Sequence, residues 1–270
     1  MSWKLRLLTI ALASFLIIGC GAPAEETPPA DEPGKTAEPV DKVKKPPIKP
    51  SAPLTKEPSD MATKSPEPDK TPPKPEPGPH PGLLDPAQAQ GKAPETFKAQ
   101  FDTTKGKLVI QVTRSWSPLG ADRFYNLVKI GYFTDIAFFR VIDAFMAQFG
   151  IHGDPKVNES WSNSNINDDP VNESNLRGYI TFAKTGAPNS RSVQFFINYR
   201  DNSPLDPQGF SPFARVVSGM EVIDSIYKGY GEGAPRGGGP DQNRVRMQGN
   251  RYLKKDFPKL DYIKKATIVD

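Results

Sequence analysis

Between Phe15 and Phe97 the chain has no Phe, Trp or Tyr, while 20 of its 30 prolines precede Thr96. A stretch so poor in large apolar groups cannot bury enough surface to offset the entropy of ordering it. The core must therefore come from the remainder, a unit of about 175 residues and close to the usual size for one core. This excludes a wholly disordered chain and equally a compact two-domain one. The lone Cys20 can form no internal disulfide, and His80 and His152 lie too far apart in sequence for a zinc-ligand pair. Packing has to hold the fold, and neither metal nor cofactor is expected. The net charge of +4 is scattered, with no basic block interleaved with aromatics, so nucleic acid is not an expected partner.

At the N-terminus, Lys4 and Arg6 precede an apolar run from Leu7 to Ile18, too short for the roughly 20 residues that span a bilayer. This reads as a signal peptide over residues 1–19. Leu16-Ile17-Ile18-Gly19-Cys20 resembles the bacterial lipobox, which implies cleavage before Cys20, lipidation of its thiol and an extracytoplasmic protein anchored to a bacterial cell membrane, inner or outer. Residues 20–95 then read as a disordered Pro-rich tether. At roughly 3.1 Å per residue in polyproline II it could reach on the order of 200 Å when stretched.

From Thr96 short apolar segments begin. Phe97–Phe101 and Leu108–Val112 flank a turn at Thr104-Lys105-Gly106 and read as a hairpin. Ser117-Pro118 supplies an N-cap and first-turn proline for a helix in which Ala121, Phe124, Leu127 and Val128 recur at helical spacing until Gly131. Further strands are expected over residues 136–142, 145–149, 178–183, 194–198, 213–217 and 266–269, and a second helix over 220–227. Many short strands with two helices suggest a closed barrel, which removes sheet edges.

The run Phe138-Phe139-Arg140-Val141-Ile142-Asp143-Ala144-Phe145-Met146-Ala147-Gln148 resembles the signature of the cyclophilins. Gly178–Ala183, Pro188-Asn189-Ser190, Gln194–Asn198, Leu205-Asp206 and Phe213–Met220 resemble further cyclophilin blocks, in family order, over residues 96–270. The resemblance implies a mainly β fold, a closed eight-stranded antiparallel barrel capped by two α-helices, acting as a monomer on proline-containing polypeptides. It implies cis/trans isomerisation of the bond before proline. Rotation about that bond meets a barrier of roughly 18 to 20 kcal/mol because amide resonance is lost. In the twisted state the proline nitrogen regains its lone pair, so a fixed cationic donor stabilises that state over the planar one.

By resemblance Arg140 is that donor, with Gln148 orienting it or bonding the substrate backbone. Phe145, Met146, Phe196, Leu205 and Phe210 fall at the proline pocket, and Ala183, Lys184 and Gln194 line the adjoining groove. Phe210 stands where many members carry histidine, Pro204 at or beside a common tryptophan, Lys184 at a common asparagine, and Asp143-Ala144 replaces the frequent Pro-Gly. A barrel kept as a proline-segment binding module or envelope scaffold is the alternative to an enzyme. The Gly-rich run Gly231–Gly239 reads as a surface loop, since Pro235 interrupts it and no phosphate-binding context surrounds it. The polar stretch His152–Arg177 receives no role.

Overall fold

The computed structural model describes residues 78–270. Cys20, the expected signal peptide and the expected tether up to residue 77 lie outside them. Nine antiparallel strands form one sheet: β1 (Thr96–Thr103), β2 (Lys107–Thr113), β3 (Ile136–Ala137), β4 (Arg140–Ile142), β5 (Met146–Phe149), β6 (Tyr179–Phe182), β7 (Phe195–Asn198), β8 (Pro212–Ser218) and β9 (Tyr262–Val269). The order is β3-β9-β1-β2-β8-β6-β7-β5-β4. Its two ends belong to one run, with only Phe138-Phe139 between them, so the curled sheet returns to its own starting strand. The expected eight strands are thus found with one broken in two.

The break follows from burial on two sides. Phe138 enters the main aromatic core, while Phe139 enters a second cluster with Ile151, Val245, Tyr252 and Leu253. Phe138 N–H still bonds Asp261 O at 2.9 Å, beside β9, whereas Arg140 already pairs with Gln148 of β5.

Helix α1 (Pro118–Lys129) plugs the barrel as its apolar periodicity requires. Phe124 meets the rings of Phe101, Phe133, Phe195 and Phe213 at centroid separations of 6.0, 5.4, 5.6 and 5.1 Å. Its cap differs from the expected one. Ser117 makes no side-chain cap bond; its hydroxyl donates to Asp169 Oδ2 at 2.6 Å, and Asp169 itself accepts from Leu119 N and Gly120 N. The carboxylate that neutralises the helix N-terminus arrives from the stretch to which the sequence assigned no role.

That stretch also folds into α2 (Pro155–Trp161), and the second expected helix is shorter, α3 (Met220–Asp224). A further helix, α4 (Gln242–Asp256), has no counterpart in the sequence reading. Only Val245, Gly249, Tyr252 and Leu253 of it are buried, too sparse a stripe to stand out among its Arg, Lys, Asn and Gln. Gly249 takes φ 56° and ψ −145° inside it, and a Cβ there would collide with the carbonyl of Gly153, so both the backbone angle and the close approach require glycine.

The domain also begins earlier than residue 96. Ala89 and Ala93 are buried in the core, Trp161 Nε1 donates to Leu83 O at 3.1 Å, and Asn126 holds Gly91 through both its amide atoms. Two short 3-10 turns, Pro81–Leu83 and Pro86–Gln88, each capped by the side chain of the residue before its proline, shape this segment. The prolines that suggested a tether here open turns instead. A chain starting at Thr96 would leave the buried Trp161 and Asn126 without these partners. It is expected to melt roughly 4 to 12 °C below one starting at Gly78, measured by thermal unfolding.

Candidate active site

The β4–β5 hairpin sets the geometry. Its register pairs Arg140 with Gln148 and Ile142 with Met146, placing Arg140, Met146 and Gln148 on one face. Ala144 turns the loop at φ 52°, the left-handed conformation that a glycine would take more readily. Phe145 follows, its carbonyl held by Tyr199 N at 2.9 Å and Asn202 Nδ2 at 2.9 Å. On the next strand, β7, Phe196 stands opposite Gln148. Phe210 meets the Phe196 ring edge-on at 5.8 Å, and its carbonyl accepts from the buried Asn175. Leu205 lies in a 3-10 turn (Ser203–Gln208) that Gly209 ends at φ 78°.

These side chains surround a cleft of about 820 Å³. All ten residues assigned to the site by resemblance line it: Arg140, Phe145, Met146, Gln148, Ala183, Lys184, Gln194, Phe196, Leu205 and Phe210. The cleft has an apolar end, made by Phe145, Met146, Phe196, Leu205 and Phe210, and a polar wall. Along that wall runs a relay in which Arg140 Nη1 donates to Gln148 Oε1 at 3.0 Å and Gln148 Nε2 donates to Gln194 Oε1 at 3.0 Å. Gln148 is 6% exposed, so its amide is held rather than solvated. Among the described residues, no cluster of His, Cys, Asp or Glu could hold a metal ion.

Arg140 has a partner that no local sequence pattern announces. Glu232 grips it in a bidentate pair, Nε to Oε1 at 2.6 Å and Nη2 to Oε2 at 2.7 Å. Glu232 comes from the Gly-rich run read as a surface loop; residues 234–238 are exposed, as that reading expects, and the loop also borders the cleft. Gly237 and Gly239 pack so closely on the Glu232 carbonyl that a Cβ at either would collide with it, so the glycines serve compactness rather than phosphate. Hydrogen bonds from Arg140 hold the Glu232 carboxyl below its usual range, against the opposing effect of partial burial. With Gln148 and Glu232 satisfied, the other Nη1 contact of Arg140 is Met146 Sδ at 3.9 Å. Thioether sulfur is a weak acceptor, so a better acceptor in the cleft can claim that N–H.

A family model described as cyclophilin type peptidyl-prolyl cis-trans isomerase matches residues 96–249. The chain belongs to this family. This cyclophilin is 34% identical over 134 residues to peptidyl-prolyl cis-trans isomerase B of Escherichia coli, covering 47% of this chain and 81% of that one. It is 32% identical over 161 residues to peptidyl-prolyl cis-trans isomerase A of Dickeya dadantii, covering 57% and 83%. A cyclophilin type isomerase of Cryptosporidium parvum aligns with a TM-score of 0.49 at 20% identity, over 65% of this chain and 98% of that one. The matched span of this cyclophilin contains every residue of the cleft described above, the Glu232 loop included. It stops at Gly249, inside α4.

Proposed function

We propose that this cyclophilin accelerates X-Pro isomerisation in exported or envelope proteins while held at a bacterial membrane through lipidated Cys20, with the Pro-rich residues before the domain as spacer. The observation that carries the reading is a guanidinium fixed beside an apolar seat. The proline ring rests among Phe145, Met146 and Phe196, where water that would favour the resonance form is excluded. As the imide twists, its nitrogen becomes a hydrogen-bond acceptor, and Arg140 donates the N–H that only a weak sulfur acceptor occupies. Charge stabilised only in the twisted state lowers the barrier instead of merely tightening binding. Glu232 and Gln148 keep the guanidinium in that plane, so its placement costs no reorganisation at the moment of rotation.

The full-length chain in detergent should speed cis-to-trans conversion of a short X-Pro peptide well above the uncatalysed rate; a rate equal to background would reject the isomerase reading. Cys20→Ser should move the protein from the membrane to the soluble fraction, and continued membrane retention would reject the anchor.

Glu232→Gln loses one charge-assisted bond and the fixed plane of Arg140. The expected loss in kcat is up to about a hundredfold, with KM little changed, as for a misplaced catalytic group. The pH profile separates positioning from a structural role. Glu232 has a lowered pKa, so its pairing with Arg140 is present above the ordinary carboxylate value and is lost as the pH falls through the lowered one. Wild-type kcat should therefore drop at the acid end, and the Gln variant should lack that limb.

A further inference from the structure

Past Gln194 the cleft continues into a side pocket of about 270 Å³ that the isomerisation step does not use. Ser162, Ser192, Gln194 and Arg246 border both spaces, so the two are continuous. Gln194 is also the last member of the relay from Arg140, which puts the pocket two side chains from the reacting bond.

Arg246 is the unusual lining group. It comes from α4, and its backbone is fixed: Asn158 Nδ2 bonds its carbonyl at 3.4 Å, and Asn250 clamps the helix to Gly153 and Asp135. Its guanidinium donates to Asn243 Oδ1 at 3.0 Å, and among the described residues no carboxylate comes within 4 Å of it. Burial pulls its pKa down from the usual value, with Asp241 the one carboxylate that opposes the shift. A half-buried cation without a counter-ion is costly unless something anionic arrives to meet it. Elsewhere the cleft carries Lys184 and Arg236, and the one carboxylate among its described lining residues, Glu232, is already taken by Arg140.

We propose that this pocket receives an acidic side chain, Glu or Asp, from the substrate segment flanking the isomerised proline, and that Arg246 thereby gives this cyclophilin a preference for acidic X-Pro segments. The proposal rests on the isomerase reading above. Ser162, Ser192 and Gln194 offer hydroxyl and amide groups to the carboxylate, and Ile151 and Val193 receive its methylenes. The recognition is one of charge at close quarters in a partly desolvated site, where a single pair can discriminate by an order of magnitude.

The test is a set of proline peptides carrying Glu, Gln or Lys at each of the three positions before and after proline, turned over by the full-length chain in detergent. At one position Glu should exceed Gln in kcat/KM by about tenfold, with Lys below Gln, and the gap should narrow with added salt. Arg246→Gln should bring the Glu-to-Gln ratio to about one, and Arg246→Glu should reverse it in favour of Lys. A ratio does not depend on how much of a variant is folded, and thermal melting of Arg246→Gln checks the fold separately. The proposal is overturned if Glu has no advantage at any position, or if Arg246→Gln leaves the advantage intact. Acceleration of no peptide at all would overturn the isomerase reading and this preference with it, whereas uniform acceleration would overturn the preference alone.

Discussion

Arg140→Ala is expected to lower kcat for X-Pro peptides by about ten- to a thousandfold, the span for removing one positioned donor from a developing acceptor. The loss should fall on kcat, since Phe145, Met146 and Phe196 still seat the ring, so KM should move little. Folding should survive: Arg140 and Glu232 are 20% and 33% exposed, and a freed Glu232 can turn to water. Arg140→Lys makes the sharper comparison. Lysine keeps the charge but has no fork to span Glu232 and Gln148 together, so it should recover only a small part of the lost rate. If Lys restored wild-type kcat, charge alone would suffice and the planar relay from Glu232 to Gln194 would be irrelevant to rate. If Ala had wild-type kcat, the role of Arg140 would be refuted outright.

Those two partners of Arg140 divide what the sequence reveals from what it hides. Gln148 lies eight residues away, across one hairpin whose alternation can be counted, so the chain itself states that the two side chains share a face. Glu232 lies 92 residues away, in a loop whose composition speaks only of flexibility, and nothing local announces that its carboxylate folds back into the cleft. The same division runs through the fold. Hairpin β1–β2 and helix α1 were legible because their periodicities of two and 3.6 are strong. Helix α4 was not, because it buries so few side chains in fifteen residues, and the segment 81–93 was not, because proline opens a helical turn as readily as it extends a linker. In each hidden case the deciding contact is distant in sequence: Trp161 with Leu83, Asn250 with Asp135, Asp169 with Ser117.

The last of these contacts predicts the largest effect on stability. Asp169→Ala should destabilise the domain by about 3 to 5 kcal/mol, the cost of breaking a buried ion pair and stripping the helix start of its acceptor, and lower its Tm by roughly 6 to 20 °C. Asp169 Oδ2 accepts from Ser117 Oγ at 2.6 Å, Gly120 N at 2.9 Å and Arg191 Nη2 at 3.0 Å, while Oδ1 takes Leu119 N at 3.2 Å. Arg191 is 1% exposed and lies over the Phe182 ring, so without Asp169 its nearest carboxylate is Asp168 at 3.5 Å, beside hydrogen bonds to Asn167 O and Ser117 Oγ. No side chain could take up the slack from Gly120, where a Cβ would press on Ser117 Oγ at 2.8 Å and Phe182 at 3.0 Å. Asp169→Asn keeps the cap acceptor but drops the charge, so it should fall between wild type and Ala. Replacing Asp169 by Leu together with Arg191 by Met removes both charges. It should recover part of the loss but not all, because the amides of Leu119 and Gly120 and the Ser117 hydroxyl still lack an acceptor. Denaturant unfolding of the three variants beside wild type gives the order directly, and an Asp169→Ala protein within about 1 kcal/mol of wild type would mean that α1 is seated by its aromatic face alone.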